Sequence, residues 1–83
     1  MILYEDQDFL KGKIISVDLE RKFVIIESTV AHGNTYLGHL SDFLPKISNF
    51  SKDIEGKNVR FSPKEVETEK GLKKVAKFIK ILD

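Results

Sequence analysis

Cysteine is absent from the 83 residues, so neither a disulfide framework nor a thiolate metal site can hold the fold together. Packing and hydrogen bonding must do so instead. No stretch approaches the ~20 apolar residues of a membrane span, and residues 1–10 lack the basic start and long apolar run of a signal peptide. A soluble cytoplasmic protein without membrane association is expected. There is no phosphate-cradling glycine-rich loop. The two histidines, His32 and His39, are too few for a metal site built from several donors at defined spacing. Asp6 and Asp8 have no convergent base or nucleophile and read as surface charge. An enzyme is therefore not expected, nor is a cofactor, a metal or a small-molecule substrate.

The net charge of +1 conceals an asymmetry: residues 1–56 carry six Lys or Arg against nine Asp or Glu, and residues 57–83 carry eight against four. A basic C-terminal third can present a phosphate-binding edge, but lysines between Lys70 and Lys80 also suit a solvated sheet edge. The sequence pI of about 8.0 lies below the range typical of a nucleic-acid footprint. At this length the chain builds one core, burying somewhat over ~60% of its unfolded surface.

The stretch Arg21-Lys22-Phe23-Val24-Ile25-Ile26 is the centre of the pattern. Strand alternation sends Phe23 and Ile25 to one face and Val24 and Ile26 to the other. Both faces are apolar. One lines a core, and the other needs a cover or a partner. Around this stretch, strands are expected over Leu10 to Val17, Lys22 to Ser28, Thr35 to His39, Asn58 to Ser62 and Leu72 to Leu82. Polar turns fall at Asp18 to Lys22 and Ala31 to Asn34, and a hairpin loop at Glu67 to Gly71. Gly12 interrupts the first strand as a bend or bulge. Pro63, lacking a donor, places its strand end at an edge or bulge. Ser41 or Asp42 offers an oxygen to cap a helical turn. Leu44, Ile47, Phe50 and Ile54 recur at helical spacing, but Pro45 breaks a continuous helix. The expected fold is all-β: a five-stranded antiparallel Greek-key OB-fold barrel with a long loop or helical turns between strands 3 and 4. Residues 1–10 form an N-terminal arm or lead-in strand, and residues 11–83 the domain.

Over roughly residues 11–82 the chain resembles the cold-shock domain, a nucleic-acid-binding OB-fold family. Gly12-Lys13-Ile14-Ile15-Ser16-Val17-Asp18 follows the family's Gly-Lys-Val-Lys-Trp-Phe-Asn, with Ser16 in place of Trp and Val17 in place of Phe. Arg21 to Ile26 meets its Lys-Gly-Phe-Gly-Phe-Ile motif, keeping the aromatic at Phe23 and replacing it at Ile25. Tyr36-Leu37-Gly38-His39-Leu40-Ser41 meets a second motif, agreeing at His39 and Ser41, with Leu37 for Phe. Phe50 falls near the family's loop aromatic, and Glu55 to Phe61 is similar to its Glu-Gly-X-X-Val-X-Phe strand. Tyr36 to Ser41 is equally similar to the Gly-Leu-Val-His-Ile-Ser motif of the RNA-binding repeat named after the largest small-subunit ribosomal protein.

The resemblance implies a site for single-stranded RNA or DNA, RNA ahead of DNA, on strands 1 to 3. It would comprise Lys11, Lys13, Ser16, Arg21, Lys22, Phe23, Ile25, Leu37, His39 and Phe50. Aromatic platforms in such sites contribute ~1–3 kcal/mol per stacked base, so a set depleted at Ser16, Ile25 and Leu37 implies weak, sequence-tolerant binding. The rival expectation is a protein-interaction or homodimerisation module using the aliphatic patch on the same face.

Overall fold

The computed structural model describes residues 9–30, 33–47 and 50–82. Most of the expected N-terminal arm, with Asp6, Asp8 and also His32, lies outside them. Five strands, β1 (Leu10–Asp18), β2 (Phe23–Ser28), β3 (Thr35–His39), β4 (Asn58–Thr68) and β5 (Gly71–Ile81), close into a barrel in the order β1-β2-β3-β5-β4. Two 3₁₀ turns, Leu40–Asp42 and Lys52–Ile54, lie between β3 and β4. No helix among the described residues is long and apolar enough to cross a membrane.

The barrel interior follows from alternation. Ile14, Val24, Ile26, Val59, Phe61, Ala76 and Ile79 point inward and are fully buried, and Phe43 and Ile54, from the long β3–β4 connection, join them. Ile47 and Phe50, from the same connection, and Tyr36 and Ile81, from the sheet, pack against this core at partial burial. The Tyr36 ring lies 4.9 Å from that of Phe61.

The expectation of an all-antiparallel sheet is corrected at one seam. β3 and β5 run parallel, with Leu37 opposite Val75, because the β3–β4 connection returns the chain before the β4–β5 hairpin reverses it again. The other four pairings are antiparallel. β4 also passes the expected end at Ser62 and runs to Thr68, paired with β5 as far as Gly71. Pro63 sits inside it, and among the described residues β1 pairs with β4 only as far as Phe61, short of this donor-less position. The hairpin turn shrinks accordingly to Glu69 and Lys70, followed by Gly71 at φ +113°.

Two irregularities shape the outer surface. In β1 the register slips between Ile14 and Ser16, so Ile14 and Val17 are both buried while Ile15 and Ser16 both face out. Just before the slip, the Ile14 backbone bonds the turn that leads into β4: its N–H donates to Lys57 O (3.0 Å), and its carbonyl accepts from Gly56 N–H (2.7 Å). Gly12 is therefore not the bend expected there. It is a close-approach point, where a Cβ would stand 2.7 Å from both Glu27 O and Ile26 Cγ2. In β5 the register shifts opposite Phe61, leaving Phe78 and Ile79 across from that one residue, with Phe78 at φ +52°. Glycine is the low-cost residue at such a bulge, and a left-handed Phe costs about 1–2 kcal/mol.

Candidate functional site

Phe23 and Ile25 emerge on the outer face of β2 while Val24 and Ile26 line the core, as alternation requires. Direct cross-strand pairing then assembles two rows on that face. Phe23 opposes Asp18 on β1 and His39 on β3; Ile25 opposes Ser16 on β1 and Leu37 on β3, and Leu37 in turn opposes Val75 on β5. All the apolar members are half-buried.

The first row carries the aromatic chemistry. The Phe23 and His39 rings lie 5.0 Å apart between centroids, edge to face at 75°. Such a pair orients both rings. His39 is held further by the turn it begins. Its Nδ1 accepts the Ser41 N–H (3.1 Å), and its own N–H donates to Asp42 Oδ2 (3.0 Å), a reciprocal cap. The expected capping roles are thus shared differently: the histidine ring accepts at the N-cap, and Asp42 reaches back to it. Because Nδ1 accepts, the neutral ring carries its proton on Nε2, an assignment inferred from that bond. Asp42 Oδ1 also pairs with Lys77 Nζ on β5 at 3.1 Å.

Arg21 and Lys22 form the end of the turn that leads into Phe23. Asp18 Oδ1 accepts the N–H groups of Glu20 and Arg21 (both 3.1 Å), Lys22 N–H donates to Asp18 O (2.8 Å), and Lys22 completes the turn at φ +63°. Leu40 N–H donates to Lys22 O (2.9 Å), which ties this basic turn to the start of the His39 cap. Both cationic side chains are exposed.

Pairing therefore sets Ser16, Phe23, Ile25, Leu37 and His39 on one outer face, and Arg21 and Lys22 lie in the turn that leads into it. The remaining expected residues stand elsewhere. Lys13 is exposed opposite Glu27 and Asn58, and Lys11 lies in a row with Arg60 and Lys80 on the β1–β4–β5 side. Phe50 is half-buried against the core, with no ring contact to Phe23 or His39 among the described residues. Sequence reasoning missed Val75, which extends the aliphatic row. It also missed the Lys11, Arg60 and Lys80 row, whose members are brought together only by pairing. A simple count of alternation along β5 could have shown Val75, since it shares parity with the outward Lys73 and Lys77. No family model and no curated protein matches the chain.

Proposed function

We propose that the β1–β2–β3 face binds single-stranded nucleic acid, RNA ahead of DNA, weakly and with little sequence preference. The observation that carries this reading is the Phe23–His39 ring pair on the outer face of the sheet, next in the chain to the exposed Arg21 and Lys22. We read the barrel as an OB-fold of the cold-shock type, in which the β3–β5 seam closes a five-stranded Greek key and the strand 2–3 face takes oligonucleotides. Two stacking rings at ~1–3 kcal/mol each bring stacking close to the roughly 4 kcal/mol of a millimolar complex. Phosphate contacts from Arg21 and Lys22 add to this and bring the complex below millimolar at low salt, so affinity depends on salt. Titration of a labelled twelve-nucleotide oligouridylate at low salt tests the reading. Binding is expected with a log-affinity slope of about −0.7 per phosphate neutralised against log salt, and its absence at hundred-micromolar protein refutes the reading.

The half-buried aliphatic row of Ile25, Leu37 and Val75 favours a second reading, an interaction module or homodimer seam on the same face. A concentration-dependent sedimentation shift abolished by Ile25→Lys supports it, and a monomer at all concentrations removes its self-association form.

A further inference from the structure

We infer that Phe78 on β5 is a third base-stacking ring, extending the track of Phe23 and His39 across the β3–β5 seam, with Lys46 contacting the phosphate between. The inference rests on the nucleic-acid reading above. Neither backbone nor packing accounts for a phenylalanine at this position. The bulge at φ +52° suits glycine, and 53% of the residue is exposed while its neighbour Ile79 is fully buried. A strained backbone that holds an aromatic ring out to solvent serves something outside the fold.

The surroundings identify what that ring meets. Two depressions adjoin, sharing Ser41 and Lys46. One is bounded by His39 and Ile47, the other by Asp42, Leu44 and Phe78. Sharing those residues, the two lie side by side between His39 and Phe78. Asp42 fixes both ends, capping the His39 N–H at 3.0 Å and pairing with Lys77, the residue before Phe78, at 3.1 Å. Here Lys77 is paired with Asp42, while the exposed Lys46 forms no ion pair among the described residues. Flat rings on either side of a cation match a chain in which flat bases alternate with phosphates. The occupant is therefore the same single strand, prolonged past His39.

Phe78→Gly and Phe78→Asn both remove the ring, and both residues tolerate the left-handed backbone, so neither variant should melt below the wild type. Affinity for a twelve-nucleotide oligouridylate is expected to fall about tenfold in both, within the range for one lost stacking partner, and to persist in Phe78→Tyr. Lys46→Ala is expected to make the salt slope shallower by about 0.7. Wild-type affinity in Phe78→Gly and Phe78→Asn, alongside a loss in Phe23→Ala, overturns this inference and leaves the wider reading standing. Absence of binding by the wild type overturns both.

Discussion

Gly38 lies on β3 between Leu37 and His39, and its missing side chain is what lets β5 close the barrel. A Cβ there would stand 2.5 Å from Ile79 Cδ1 and 3.2 Å from Val24 Cγ2. Gly38→Ala thus overpacks a closed core, typically at about 1–3 kcal/mol, offset by about 0.4–1 kcal/mol because alanine restricts the unfolded chain. A net loss of about 1–2 kcal/mol follows. Ile79→Val removes the clashing Cδ1 itself and alone costs about 0.5–1.5 kcal/mol through the cavity it leaves. In the double variant the new Cβ fills the space that Cδ1 vacated, so the combined loss should fall at least about 1 kcal/mol short of the sum, as expected for residues sharing one cavity. Gly12→Ala is expected to cost more than Gly38→Ala, because its Cβ would meet the Glu27 carbonyl, and backbone cannot rotate away as a side-chain tip can. Urea unfolding measures all four variants. With a slope of about 1 kcal/mol per molar for so small a domain, each 1 kcal/mol moves the midpoint by about 1 M. Strict additivity of Gly38→Ala and Ile79→Val, or a milder Gly12→Ala than Gly38→Ala, refutes the packing account.

Asp42→Ala should destabilise by about 1–2 kcal/mol, since it removes both the cap on His39 N–H and the partner of Lys77, whereas Lys77→Ala should cost below about 1 kcal/mol because that pair is half-exposed; thermal melts of the two variants check the order. A double-mutant cycle with Phe23→Ala and His39→Ala, read by urea unfolding, should show a coupling of about 0.5 kcal/mol from the edge-to-face contact, and zero coupling would mean that the rings do not hold one another.

Period-two alternation made much of the barrel legible in the chain. It separated Phe23 and Ile25 from Val24 and Ile26, and Val59 and Phe61 from Asn58 and Arg60, because each choice depends only on parity along one strand. Parity fails where a register slips. Ile15 and Ser16 face out together, and Phe78 stands beside Ile79 at a bulge; both slips arise from how neighbouring strands must pair to close the barrel. Gly12 shows the same limit. Its glycine is visible in the chain, but its cause, the approach of Ile26, Glu27 and Phe61, is a property of three strands at once.

The sequence by itself determined an all-β chain, most strand limits to within a residue or two, and a central strand with more apolar residues than one core face can bury. Those features are local, set by turn chemistry and alternation. Tertiary structure alone decided that β3 and β5 run parallel, that β4 continues past Pro63, and that Phe23 meets His39 while Phe50 turns to the core. Each of these depends on which strands become neighbours. That choice is made by closing the barrel around a shared core, and no single stretch of the chain carries it.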